Sequence, residues 1–87
     1  MYAIVYEKKG GIVMEMHERL KLLRENANLK QKDMADILQT TQQYYSEYET
    51  GKRKLPCEHI KRVCLHFHVS ANYLLDLPTD LADPRKR

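Results

Sequence analysis

The spacing of apolar residues changes along this chain of 87 residues, and each change predicts an element. Over Tyr2-Ala3-Ile4-Val5-Tyr6 the pattern is a β-prone alternation, followed by Lys8-Lys9-Gly10-Gly11 and then Ile12-Val13. That reads as strand, glycine turn and second short strand, an N-terminal β-hairpin. From Met16 the period becomes helical. Met16, Leu20, Leu23 and Ala27 share one stripe, with Glu18, Arg19, Lys21 and Glu25 outside it. Asn28 suits the left-handed residue that ends this helix, because Asn tolerates positive φ better than most residues. A second short helix is predicted over about 31–38, burying Met34, Ala35 and Leu38. Thr41 is a good N-cap for a third helix over about 42–50, which Gly51 closes. Pro56 is placed at the first turn of a fourth helix, where Ile60, Val63, Cys64 and Phe67 fall at i, i+3, i+4 and i+7. Ser70 caps a short fifth helix carrying Leu74 and Leu75, and Leu77-Pro78 ends it.

Composition narrows the class. The chain is 43% hydrophobic, 31% charged and 8% aromatic, which is globular rather than disordered. At this size a chain buries about 60–65% of its unfolded surface, so one small domain is expected and little room remains for a walled enzyme cleft. The apolar run at residues 1–6 is too short for a membrane span or a signal-peptide apolar region, so the chain is read as cytoplasmic with no membrane partner. The organisation expected is an extension over 1–15, a helical domain over 16–77 and a flexible basic tail over 78–87. Net charge is +3, and its distribution says more. Between residues 51 and 62, five cations (Lys52, Arg53, Lys54, Lys61, Arg62) stand against one anion, Glu58. Such a cluster fits a polyanionic partner.

Metal and catalytic chemistry are weighed and set aside. Cys57 and Cys64, with His59, His66 and His68 between or beside them, lie two helical turns apart, about 10 Å along an axis, which is too far to share one zinc ion. A buried thiol with surface imidazoles is the simpler reading. His17, Asp33 and Asp36 have no nucleophile or pocket motif beside them. No catalytic residue, no cofactor and no metal are expected.

Two short helices separated by a few residues form the local pattern of a helix-turn-helix. On particular residues, the stretch 19–77 resembles the lambda-repressor-like (Cro/C1, XRE) family of DNA-binding domains. The residues that carry the resemblance are Leu20, Leu23 and Arg24, then Leu29-Lys30-Gln31-Lys32-Asp33-Met34-Ala35. Thr41, Ser46, Glu49-Thr50-Gly51-Lys52-Arg53, Val69-Ser70 and Leu74-Leu75 complete it. The run TTQQYYSEYETGK is similar to the recognition helix of the 434-type branch. Some positions depart from the pattern. Lys30 replaces the usual hydroxyl cap, Tyr45 and Tyr48 replace inward aliphatics, Tyr73 replaces a capping carboxylate, and His68 stands where Gly is usual. The implied fold is all-α, a five-helix lambda-repressor-like domain, here with an added N-terminal β-hairpin.

The resemblance implies that the third helix enters the major groove of double-stranded DNA. Gln42 and Gln43 can each offer a donor and an acceptor to a base edge, best matched by adenine N6 and N7. Tyr44, Ser46 and Glu47 complete the expected base-contact set, Glu47 by accepting from cytosine N4 or by repelling a phosphate. Phosphate contacts are assigned to Gln31, Thr41, Lys52, Arg53 and Lys54, which position without specifying. Gln31 is also expected to buttress Gln42. Arg24 and Glu49 are implied to form a structural ion pair beneath the reading helix. Tyr45 and Tyr48 are read as core, and Arg85-Lys86-Arg87 as solvated tail.

The function expected is that of a transcriptional regulator, a repressor binding as a homodimer to a palindromic operator. The hairpin is expected either to cover its own helices or, as the favoured reading, to pair with the same strand of a second copy. Two alternatives stay open. One is the antitoxin of a toxin–antitoxin pair, which also holds a protein partner. The other is a protein-interaction module that has lost DNA contact, against which Gln42, Gln43 and the basic loop argue.

Overall fold

The computed structural model describes residues 14–78 and 80–85. Five helices follow one another: α1 (Met16–Asn26), α2 (Gln31–Leu38), α3 (Gln42–Thr50), α4 (Cys57–Phe67) and α5 (Ala71–Leu75). Among the described residues the fold is all-α. The β-hairpin expected over 2–13 lies outside those residues, and no strand occurs within them.

Local chemistry explains most boundaries. Thr41 Oγ1 accepts the backbone N–H of Tyr44 at 3.0 Å, capping α3, and Ser70 Oγ accepts from Asn72 at 2.9 Å, capping α5. These bonds satisfy amides that an α-helix leaves unpaired at its start. Lys30 has no acceptor to offer α2, yet the helix does not start weakly. Asp33 reaches back to accept the Lys30 backbone N–H at 2.8 Å, supplying the reciprocal half of a capping box. Glu18 does the same for Glu15 at the head of α1, also at 2.8 Å. Pro56 is the N-cap of α4 rather than its first-turn residue, one position earlier than expected. Gly51 closes α3 at φ 80°, and Asn28, Gln39, His68 and Asp76 adopt φ between 57° and 61° near the other helix ends.

The core gathers one face of every helix: Leu20 from α1, Met34, Ala35 and Leu38 from α2, Tyr45 and Tyr48 from α3, Val63 from α4 and Leu74 from α5. Leu55, in the loop before α4, closes it, and Met16, Leu23, Ile60, Cys64 and Phe67 pack around its edge. α3 lies against both α2 and α1, while α5 bridges α4 and α1. Three expectations need correction. Ala27 is exposed because α1 ends before it, so the apolar stripe stops at Leu23. Leu75 is 40% exposed, leaving Leu74 alone as the buried anchor of α5. Arg19, placed outside the apolar stripe, is only 8% exposed.

The cause of Arg19's burial is a partner far along the chain. Its Nη2 donates to Asp76 Oδ1 at 2.6 Å, its Nε donates to the Met14 carbonyl at 3.3 Å, and its guanidinium carbon lies 5.1 Å from the centre of the Tyr73 ring. The aliphatic stem then covers apolar surface while the charged end is satisfied. Hydropathy sees only the charge.

Candidate nucleic-acid interface

α3 has two opposed faces. Tyr45, Tyr48 and Glu49 turn inward and are buried, while Gln42, Gln43 and Tyr44 are exposed and Ser46 and Glu47 are half-buried. Thr41 fixes where the helix begins, so the exposed first turn is Gln42-Gln43-Tyr44. Tyr45 and Tyr48 meet edge to face with centroids 6.3 Å apart, and Tyr48 meets His59 of α4 at 5.8 Å. These ring contacts carry the helix on a packed aromatic layer.

Beneath α3 lies an ion pair with a third member. Arg24 Nε donates to Glu49 Oε2 at 2.5 Å and Arg24 Nη2 to Glu49 Oε1 at 3.2 Å, a two-pronged contact of the geometry guanidinium and carboxylate favour. Arg24 Nη1 donates to the Leu29 carbonyl at 2.9 Å. Gln31, from the first turn of α2, donates through Nε2 to Glu49 Oε1 at 3.0 Å. Gln31 therefore buttresses α3 through Glu49, not through Gln42. Only 3% of the Glu49 side chain and 13% of Arg24's are exposed. Burial alone would push the Glu49 carboxyl up, but Arg24, the nearby Tyr45 hydroxyl and Gln31 together outweigh it and hold the carboxyl below its ordinary range. Glu49 in turn raises the Arg24 guanidinium, chiefly by accepting its hydrogen bond. The fully buried Tyr45 hydroxyl is pushed up, first by burial and then by its carboxylate neighbour. It lies close enough to feel the pair without making a hydrogen bond of good geometry.

The loop after α3 folds back onto it. Gly51, left-handed, reverses the chain at a point where an added Cβ would stand 3.1 Å from the His17 ring. Thr50 Oγ1 donates to the Glu47 carbonyl at 3.1 Å and accepts the Lys52 N–H at 3.4 Å. The Arg53 N–H also reaches the Glu47 carbonyl, at 3.2 Å. Arg53 Nε donates to Glu47 Oε1 at 2.8 Å, and its guanidinium carbon lies 3.9 Å from the centre of the Tyr44 ring. The Glu47 carboxyl is held below its ordinary range, chiefly by the hydrogen bond from Arg53. Lys52 and Lys54 are exposed on either side.

The structure thus sets Gln42, Gln43, Tyr44, Ser46 and Glu47 on one helix, with Thr41 at its head and Lys52, Arg53 and Lys54 directly behind it. Arg24, Glu49 and Gln31 lie underneath. Sequence reasoning missed two features. One is the Arg19–Asp76 clasp, which has no local signal in the residues around either partner. The other is the contact of Arg53 with both Glu47 and Tyr44, whose signal was the chain-reversing Gly51 between them.

Comparison with known proteins adds three findings. A family model described as a helix-turn-helix domain matches residues 17–79. A transcriptional regulator from Listeria innocua superposes with a TM-score of 0.71 at 24% identity, covering 83% of this chain and 67% of its own. The P22 c2 repressor protein, in complex with a synthetic operator, superposes with a TM-score of 0.67 at 19% identity, covering 72% of this chain and 96% of its own. At these identities the likeness is one of fold. No curated protein sequence matches the chain.

Proposed function

This chain belongs to the helix-turn-helix domain family, and from that premise we propose that it regulates transcription by binding double-stranded DNA, with α3 in the major groove. The observation that carries this reading is the two-faced construction of α3. Its inner face is fixed by Tyr45, Tyr48 and the Arg24–Glu49–Gln31 network, so the exposed first turn is presented on a rigid base. Gln42 and Gln43 at that turn carry no charge with which to release counterions from phosphate. Their value on DNA lies in hydrogen bonds to particular base edges, worth about 1–3 kcal/mol for each good pair. Lys52 and Lys54 behind the helix supply charge without sequence preference. The resemblance of the fold to the P22 c2 repressor favours repression over activation. A homodimer on a palindromic site is the arrangement that such helix-turn-helix domains use, with half-sites about one helical turn apart.

Selection of duplexes from a random pool tests the reading. Enrichment of a motif with two-fold symmetry is the expected result. An enriched motif without symmetry would leave DNA binding and remove the dimer. Absence of any enrichment would overturn DNA recognition in favour of a protein-interaction module.

A further inference from the structure

Arg53 lies against the exposed face of α3, and an anion of α3 itself already occupies it. Its guanidinium is held at two points within one helical turn, by the Glu47 carboxylate at 2.8 Å and by the face of Tyr44 at 3.9 Å. Its backbone N–H is tied to the carbonyl of the same Glu47. An arginine needed only for phosphate neutralisation would gain nothing from a carboxylate beside it. A glutamate needed only for solubility would not sit on the face that carries Gln43 and Tyr44.

We propose that Glu47 and Arg53 form an exchange latch, in which Glu47 holds Arg53 from the DNA backbone until a base in the major groove offers its amino group to the carboxylate. This rests on the DNA-binding reading above and adds to it a coupling between base readout and phosphate affinity. An ionised carboxylate can only accept hydrogen bonds. The outside of a duplex presents phosphate oxygens, which are acceptors and repel it. In the major groove the donors are the amino groups of cytosine and adenine, and Glu accepts best from cytosine N4. At such a base Glu47 can leave Arg53 without losing a partner, and Arg53 is released to make a charge-assisted contact with phosphate. Where no amino group lies within reach the carboxylate would be stranded among acceptors, so the pair stays closed.

The setting suits exchange. Of the Arg53 side chain 43% is exposed, and of the Glu47 side chain 17%, and ion pairs in such settings open at little cost. By contrast, the Arg24–Glu49 pair beneath is enclosed. Tyr44, itself 45% exposed, has a ring face that keeps the guanidinium close while its carboxylate partner changes. The hydrogen bond from Arg53 keeps Glu47 ionised, as the latch requires. One cation then counts toward the specific complex and not toward the random one.

Salt dependence reads this directly, because each cation engaged with phosphate adds about 0.9 to the slope of log affinity against log salt. The full chain, Glu47→Gln, Arg53→Ala and the double variant are titrated by fluorescence anisotropy between about 50 and 200 mM salt. Two labelled duplexes serve as probes, one enriched by the wild-type chain from a random pool and one of mixed sequence. Glu47→Gln should bind the mixed duplex about 5- to 10-fold tighter, with its slope steeper by about 0.9, as one added phosphate contact predicts. Arg53→Ala should abolish that gain in the double variant while leaving the slope of the otherwise wild-type chain on mixed DNA unchanged. On the enriched duplex, Arg53→Ala alone should flatten the slope by about 0.9. The latch is overturned if Arg53→Ala flattens both slopes equally, or if Glu47→Gln leaves mixed-sequence binding unchanged. In those outcomes DNA binding itself persists. Failure to enrich any duplex is a separate result, and it removes the DNA reading and the latch together.

Discussion

Two arginines five residues apart on α1, Arg19 and Arg24, end in ion pairs with different partners, and the two pairs differ in kind. Arg24 reaches across to α3, meets Glu49 through two nitrogens, and shares it with Gln31 in a site where the carboxylate is 3% exposed. Arg19 reaches to Asp76, just past α5, through one nitrogen, and that carboxylate is 25% exposed. The first pair joins three helices beneath α3, whereas the second fastens the last helix to the first. Enclosure decides what each is worth. A carboxylate that cannot rehydrate depends wholly on its partners, and one at the rim can turn to water when its partner is lost.

Removing one arginine at a time should break this symmetry. Arg24→Met strands Glu49 and is expected to destabilise the fold by about 3–5 kcal/mol, measured by urea denaturation. Replacing Arg24 and Glu49 together with apolar residues should cost much less, because no charge is left without a partner. A single-variant loss under about 1 kcal/mol would place the pair in the exposed class. Arg19→Met is expected to cost about 1–2 kcal/mol, between the exposed and enclosed limits, since the methionine keeps much of the packing and Asp76 can rehydrate. If Arg19→Met matched Arg24→Met, enclosure of the carboxylate would not be the deciding variable.

Acid sharpens the same contrast. The Glu49 carboxyl lies below its ordinary value of 4.5 in the folded chain. Its contribution is therefore complete above that value and disappears as pH falls through the lower folded value. Denaturation midpoints followed downward from about pH 6 should decline more steeply in the wild-type chain than in Glu49→Gln, which has no proton to take up there. Parallel declines would show that Glu49 is not the residue responsible. The smallest effect is expected at the third pair. Glu47→Gln, at the solvent-facing contact with Arg53, should leave the unfolding midpoint unchanged. A measurable loss would make that contact structural.

The same contrast marks where the sequence was readable. Helix ends followed from residues acting within a turn of themselves. Thr41 and Ser70 begin helices, Gly51 ends one, and the apolar period of α4 put Val63 inward. The pairing of Arg24 with Glu49 came from resemblance, since nothing in the spacing links residues 25 apart. Hydropathy assigns Arg19 to the solvent face because it scores the charge and not the stem. Its burial is decided by Asp76, 57 residues away, after the helices have packed. For Arg53 the partners were only six and nine residues back, but the contact depends on a chain reversal that periodicity does not encode. Asp33 shows the opposite error. The missing acceptor at Lys30 is plain in the sequence, while the carboxylate three residues on that compensates shows only once its bond to the Lys30 N–H is made.

The left-handed helix ends leave this domain a margin for heat tolerance. Gln39, in the turn between α2 and α3, and His68, after α4, both hold φ at 57° with a full side chain. Each such residue bears about 1–2 kcal/mol of steric cost, against roughly 0.5–1 kcal/mol for the extra freedom a glycine brings to the unfolded chain. Gln39→Gly and His68→Gly should therefore each raise the melting temperature by a few degrees, about what a net gain of 0.5–1 kcal/mol yields in a domain this small. Neither residue belongs to the core or to the exposed face of α3. Stability can therefore be raised at the joints between helices, with the exposed face of α3 untouched.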